Sequence, residues 1–161
     1  MAKKNAHPGR SSAMIRAMRS IVVVSRTARA DAAVRLDDLP GTSGRLDVVA
    51  RSVRAALCVS HGIRKDARVY LVLLGGTAPR TIRIDGATAK FVRPDERALA
   101  TTILKAVARV EVEDPRFVEQ RLGVAVACAG LDAALDDVRG QRLFVLEEDG
   151  ADVRDEPVGE G

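Results

Sequence analysis

Short apolar runs alternate with amphipathic stretches along this chain. Four uncharged runs of four to six residues are typical of buried strands: Ile21–Val24, Val69–Leu74, Val124–Ala127 and Leu143–Leu146. Because helical patterns separate these runs, the sequence predicts an α/β layered fold with a mostly parallel sheet. One small pair of antiparallel strands is expected: Thr81–Ile84 and Lys90–Val92, with Asp85-Gly86 between them.

Three stretches have the period of an amphipathic helix. The clearest can be capped by Thr42 or Ser43 and can end at Gly62. A second helix begins at Pro94-Asp95-Glu96, and a short third one covers Leu131–Val138. The residues expected to face the core are Leu46, Val49, Ala50, Val53, Leu57 and Ser60 in the first helix, and Leu99, Ile103, Ala106, Val107 and Val110 in the second.

Length and composition favour one domain without an aromatic binding surface. The 161 residues are 47% hydrophobic but only 2% aromatic, with no tryptophan and one tyrosine. We therefore expect a core of Val, Leu, Ile and Ala, and any RNA binding would depend on charge, backbone geometry and pocket shape. We predict one domain over residues 18–158, after a disordered basic extension over residues 1–17.

Charge is distributed unevenly around a net value of +4. Residues 1–30 contain seven lysines and arginines and no acid, whereas residues 147–161 contain seven acids and one base, Arg154. This asymmetry fits a nucleic-acid partner for the basic end. A solvated tail at each end is the alternative interpretation.

The remaining composition argues against several classes of protein. Cys58 and Cys128 lie among apolar residues, which predicts buried reduced thiols in a cytoplasmic protein. With only His7 and His61, no zinc site is expected. The longest apolar run is far below the ~20 residues of a membrane span, and no secretion signal follows the basic N-terminus. We expect no metal and no membrane partner.

The densest polar cluster lies between Asp37 and Arg64, since the chain has no dinucleotide-binding glycine motif, phosphate-binding loop or nucleophile elbow. Guanidinium groups bind phosphates in a bidentate manner, so a helix lined with them suits an RNA backbone. An exposed helix face with intrahelical ion pairs such as Asp47–Arg51 is the alternative. The cluster comprises Arg45, Asp47, Arg51, Arg54, His61 and Arg64.

Three segments together carry a family resemblance. They are Leu36–Gly41 with Gly44–Val49 (LDDLPG, GRLDVV), Leu57–Asp66 (LCVSHGIRKD) and Val92–Arg97 (VRPDER). In this order and spacing they resemble the archaeal tRNA pseudouridine N1-methyltransferases and their bacterial relatives, within the SPOUT class. The resemblance covers residues 18 to about 158, thins between 110 and 140, and resumes at Leu143–Gly150 (LFVLEEDG).

The resemblance implies a cytoplasmic homodimer with an α/β core and a C-terminal trefoil knot that binds S-adenosylmethionine. The implied reaction is methylation of N1 of a pseudouridine in tRNA, and an RNA-binding module without catalysis is the alternative. Asp47 is the candidate acid-base or orienting residue, with structural pairing to Arg45 or Arg51 as its alternative. By the resemblance, the cofactor contacts are Leu146 and Gly150, and the RNA contacts are Arg45, Arg51, Arg64 and Arg97.

The resemblance also sets an expectation for the end of the chain. The family continues with a further strand and a Gly-Asp-His-type loop, where this sequence has Pro157–Gly161. We therefore expect a C-terminally truncated member that lacks the knot-forming segment. Three explanations are open: a truncated gene product, a retained RNA-binding module, or a pocket completed by a partner.

Overall fold

The computed structural model describes residues 18–31, 33–90, 92–111, 113–152 and 154–155. The predicted extension over residues 1–17 and the segment Pro157–Gly161 lie outside the described residues. The described elements are, in chain order, β1 (Arg19–Ser25), α1 (Leu39–Thr42), α2 (Leu46–Leu57), β2 (Cys58–Val59), β3 (Gly62–Ile63), β4 (Ala67–Leu73), β5 (Arg80–Asp85), α3 (Glu96–Ala108), β6 (Val118–Arg121), β7 (Val124–Ala127) and α4 (Leu131–Asp137).

Five of these strands form one mixed sheet with the order β1-β4-β5-β7-β6. The α/β class is confirmed, but the prediction of a mostly parallel sheet is wrong: β1 and β4 are parallel, and the other three pairings are antiparallel. Only residues 74–79 connect β4 to β5, too few for the crossover that a parallel pairing requires. Likewise, the turn Leu122-Gly123 joins β6 directly to β7 as a hairpin.

The main core lies between one face of the sheet and helices α2 and α3. Alternate apolar residues of β4 and β5, such as Leu71 and Ile82, face these helices and are buried. All four residues of β7 are buried, which is why the sequence of this antiparallel strand looked like that of a parallel one. The short helix α4 covers the opposite face, where Tyr70 and Val72 pack against Ala134 and Val138.

Helix α2 has the predicted apolar face from Leu46 to Leu57, but it ends earlier than predicted, so Ser60 lies in an exposed turn rather than against the core. The N-cap position is Arg45, which makes no side-chain capping bond, rather than the predicted Thr42 or Ser43. Ser43 lies two residues earlier, and its side-chain oxygen accepts a 2.9 Å hydrogen bond from the amide of Leu46. The helix ends at Leu57 rather than at Gly62, because Cys58–Val59 turns back and pairs with Gly62–Ile63 as a hairpin. The α3 start is confirmed: Asp95 accepts a 2.7 Å hydrogen bond from the amide of Ala98.

Two predicted strands are wrong within the described residues. Leu143–Leu146 forms no strand and lies exposed to solvent, with 84% of Leu146 accessible. Lys90 and Val92 lie in a loop, and Phe91 is outside the described residues. An apolar run becomes a strand only where a neighbouring strand pairs with its backbone, and β7 occupies the free edge of β5 instead.

Candidate nucleic-acid interface

The start of α2 holds a compact group of ion pairs, which we call the arginine cluster: Arg45, Asp47, Arg51 and Glu96. Only 5% of the Asp47 side chain is exposed. Its carboxylate accepts bonds from Arg45, at 3.0 Å from Nε and 3.1 Å from Nη2, and from Nη2 of Arg51 at 3.2 Å. The two arginines keep 59% and 54% of their side chains exposed, so their outer faces remain available to an anion.

Backbone geometry places this cluster. Gly44 and Arg45 both adopt left-handed conformations, with φ of +59° and +74°, and turn the chain sharply into α2. The carbonyl of Gly44 accepts a 2.8 Å bond from the hydroxyl of Thr27, and the carbonyl of Ser43 accepts one from the amide of Arg29. The loop after β1 therefore fixes the entry into α2 and the position of Arg45.

The charge state of Asp47 follows from these contacts. The hydrogen bond from Arg45 lowers the pKa of Asp47, burial opposes this effect, and the charges of Arg45 and Arg51 lower the pKa further. A carboxylate stabilised in this way remains ionised and is a weak proton acceptor. The arrangement favours an orienting role, in which Asp47 holds both guanidinium groups in place.

Asp47→Asn should lower the free energy of unfolding by about 1–2 kcal/mol at pH 7, because charge-assisted hydrogen bonds become neutral ones. A lowered folded-state pKa contributes stability above the unfolded-state pKa of about 3.9, and this contribution is lost as pH falls through the folded-state value. Urea unfolding at pH 7, 5 and 3 should therefore show that the free energies of unfolding of the original chain and of the Asp47→Asn protein become more similar as the pH falls. A difference independent of pH would contradict this account.

The candidate RNA residues do not all lie together. Glu96, in the first turn of α3, has its carboxylate 4.0 Å from Nη1 of Arg51. Arg97 follows Glu96, and its charge helps to lower the pKa of Asp37, whose main partner is Arg35. Arg64 lies apart, beyond the C-terminal end of α2, where its amide donates to the carbonyl of Leu57. About 18 Å of helix axis separates that end from Arg45.

The ion pairs that the sequence analysis gave as the alternative to RNA binding are also present. Asp47 pairs with both Arg45 and Arg51, and His61 is exposed in the turn between β2 and β3.

No group of three or more His, Cys, Asp or Glu residues that could hold a metal occurs among the described residues. In the same part of the chain, no helix is long and apolar enough to cross a bilayer.

The two candidate cofactor residues lie on the exposed segment after α4. The amide of Gly150 donates a 3.2 Å bond to the carbonyl of Glu147 within a turn, and Leu146 is almost fully exposed. At the carboxyl edge of β4, a cavity of about 80 Å³ is bordered by Arg29, Asp31 and Gly76. Ligand pockets usually measure about 300 Å³ or more, so this cavity is too small for a nucleoside cofactor.

Sequence reasoning missed a second basic surface. A groove of about 480 Å³ lies along the exposed side of α3, and its charged lining is Arg93, Asp95, Arg97, Lys105 and Arg121. Arg121 lies on β6, a strand that the sequence pattern did not predict. The spacing of Arg97, Thr101 and Lys105 at every fourth position was the available signal.

Comparisons with known proteins agree with the motifs. Residues 18–160 match the family model described as putative SAM-dependent RNA methyltransferase. A protein of Methanosarcina acetivorans is 38% identical over 138 residues, which are 85% of this chain and 64% of that protein. One of Halobacterium salinarum is 42% identical over 134 residues, covering 83% of this chain and 66% of that protein.

Both relatives are named tRNA (pseudouridine(54)-N(1))-methyltransferase, as is a Methanococcoides burtonii protein that is 35% identical over 86% of this chain and 69% of its own length. The chain thus spans about two thirds of the length of these relatives. The family match covers the arginine cluster, the groove and the segment of Leu146 and Gly150. This chain belongs to the family of putative SAM-dependent RNA methyltransferases.

Proposed function

We propose that this chain acts in the S-adenosylmethionine-dependent methylation of N1 of a pseudouridine in tRNA. The observation that carries the proposal is the family match over residues 18–160, since it extends across the whole described fold. Relatives that share 35–42% of its residues bear the name of this reaction. The arginine cluster adds two guanidinium groups whose side chains are more than half exposed, and exposed guanidinium groups can contact an RNA backbone.

In this proposal the arginines position the RNA and Asp47 positions the arginines. N1 of pseudouridine carries an imino proton that must leave when the nitrogen gains a methyl group, so the site needs an unstacked base and a proton acceptor. Asp47 is a weak acceptor because its pKa is lowered. We assign Asp47 to orientation, and Arg45, Arg51, Arg64 and Arg97 to contacts with phosphates.

Leu146 and Gly150 remain the proposed cofactor contacts. The cofactor supplies the methyl group when it is bound. The exposure of Leu143–Leu146 is consistent with a segment that orders against further protein. We further propose a SPOUT-type knotted fold, a homodimer and a cytoplasmic location, and light scattering of the purified chain tests the dimer.

The decisive experiment measures transfer of a radiolabelled methyl group from S-adenosylmethionine to tRNA. Two transcripts should be compared, one with pseudouridine and one with uridine at the same T-loop position. Labelling of the pseudouridine transcript alone is the expected result. Binding of tRNA without labelling would instead favour a non-catalytic RNA-binding role. The absence of both binding and labelling would refute the proposal.

Arg51→Gln should weaken tRNA binding by about five- to tenfold, because one phosphate contact and its counterion release are lost. Arg116→Gln is the matched control, since Arg116 is also a paired and exposed arginine, bonded to Asp114, and lies on the loop before β6. Fluorescence anisotropy at 0.1 M salt measures both affinities. Equal affinities for the two variants would remove Arg51 from the interface.

A further inference from the structure

We propose that the groove beside α3 binds the phosphate backbone of RNA at a second contact site, apart from the arginine cluster. We call it the cationic groove and define it by Arg93, Asp95, Arg97, Thr101, Lys105 and Arg121. The inference rests on the proposed function, because it assigns a further part of the same RNA substrate to this surface. None of Arg93, Lys105 and Arg121 is among the candidate RNA residues that the sequence analysis named.

The charge balance of the groove differs from that of the arginine cluster. In the cluster, Asp47 and Glu96 offset Arg45 and Arg51. The groove instead has four cations and a single carboxylate, Asp95, whose Oδ1 accepts the capping bond from Ala98. Its potential is therefore positive, and an anion entering it meets a net attraction.

Two of the groove cations are available without breaking existing contacts. Arg93 and Lys105 are exposed, and neither makes an ion pair or a side-chain hydrogen bond within the described part of the chain. Arg121 donates a 2.7 Å bond to the carbonyl of Lys90, which holds its guanidinium at the groove wall. Phosphate contacts to Arg93 and Lys105 would thus gain charge-assisted bonds at no cost to the fold.

The geometry suits an extended polyanion. Arg97 and Lys105 lie eight residues apart on one face of α3, which corresponds to about 12 Å along the helix axis. A row of cations this long can contact successive phosphates, whereas one isolated phosphate reaches only part of it. The hydroxyl of Thr101 donates to the carbonyl of Arg97 at 2.7 Å, so this hydroxyl proton is already engaged within the helix.

The residues that line the groove also argue against one mode of RNA recognition, the stacking of bases on aromatic side chains. No aromatic side chain lines it among the described residues, so stacking of unpaired bases is not its mode of recognition. Contacts to phosphates carry no sequence information but fix the register and orientation of a nucleic acid. We infer that the groove anchors a part of the tRNA outside the modified base.

The test uses the full chain and the double variant Arg93→Gln/Lys105→Gln. Anisotropy titrations with a fluorescein-labelled tRNA transcript, at several salt concentrations, give the affinity and its dependence on salt. Removing two phosphate contacts should weaken binding about tenfold or more at 0.1 M salt and reduce the slope of log affinity against log salt by about 1.5. Arg93→Lys/Lys105→Arg keeps both charges and should restore most of the affinity.

Arg139→Gln provides the control, since Arg139 is 80% exposed and follows α4 on the opposite face of the sheet. An unchanged affinity and slope in the double variant, with methylation intact in the original chain, would overturn the groove while leaving the proposed function in place. A chain that neither binds nor methylates tRNA would overturn both. Binding of uridine monophosphate to the original chain but not to the double variant would assign the groove to free nucleotides and would also overturn the inference.

Discussion

Replacing Gly44 with alanine is expected to lower the free energy of unfolding by about 3–5 kcal/mol, the largest effect of any exchange proposed for this protein. A Cβ atom at this position would lie 1.8 Å from the carbonyl oxygen of Thr27. Both the clash and the left-handed φ of +59° oppose the substitution. Because the clash is with backbone, a side-chain rotation cannot relieve it.

Alanine substitutions at two further glycines distinguish the effect of the steric clash on stability from the effect of the left-handed backbone conformation. Gly140 has a φ of +86°, and a Cβ there would meet nothing within 4 Å, so Gly140→Ala should cost only about 1–2 kcal/mol. Gly75 has a Cβ position 1.9 Å from the same Thr27 oxygen, so Gly75→Ala should destabilise through the clash. Chemical unfolding measures all three variants. Equal losses of unfolding free energy for Gly44→Ala and Gly140→Ala would show that the loop after β1 moves readily to accommodate the added Cβ atom.

Gly44→Ala is also expected to affect RNA binding, because Thr27 lies against both Gly44 and Gly75. Gly44 leads into Arg45 and the arginine cluster, while Gly75 follows the end of β4. Displacement of the Thr27 loop should move Arg45 away from Asp47. We therefore expect weaker tRNA binding by any folded Gly44→Ala protein than by Gly140→Ala protein, with both measured below their unfolding temperatures.

Asp137→Ala should lower the free energy of unfolding by about 3 kcal/mol, since it leaves several partly buried partners unpaired. Asp137 ends α4 and accepts a 2.7 Å bond from the hydroxyl of the buried Tyr70 and a 2.9 Å bond from Arg83. Arg68 lies 3.7 Å away and retains its bond to Asp85. The variant leaves the Tyr70 hydroxyl and one guanidinium without this acceptor.

Asp136→Ala is the matched control for this prediction. Asp136 is the preceding residue, is 67% exposed and, among the described residues, pairs only with the exposed Arg139, so its loss should cost about 0.5 kcal/mol or less. Thermal unfolding of both variants tests the contrast. A similar loss for the two would mean that α4 is not anchored through Asp137.

The Asp137 contribution should also depend on pH. Burial raises the pKa of Asp137, but the hydrogen bonds from Tyr70 and Arg83 and the charges of Arg83 and Arg68 together outweigh it, so the pKa lies below its ordinary value. Its stabilising effect is therefore complete above the unfolded-state pKa of about 3.9 and is lost as pH falls through the folded-state value. The difference in stability between the Asp137→Ala protein and the original chain should therefore narrow progressively as the pH is lowered below about 3.9.

The amphipathic patterns by themselves determined the main elements of this protein. The run from Ile21 to Val24, the apolar face of α2 and the Asp95 cap of α3 depend on side chains close in sequence, and local spacing is sufficient to predict them. Family membership likewise came from short motifs such as LDDLPG and VRPDER, whose order in the chain is itself a sequence property.

Only the tertiary structure decided the pairing of strands and the groups that meet in space. Strand direction depends on where the chain returns to the sheet, so an apolar run such as Val124–Ala127 has the same pattern in an antiparallel strand as in a parallel one. Leu143–Leu146 has the pattern of a strand, but no strand of the described part of the chain lies beside it, and it remains exposed. The cationic groove joins Arg93, Lys105 and Arg121 from three separate segments, because packing rather than spacing along the chain brings their charges together.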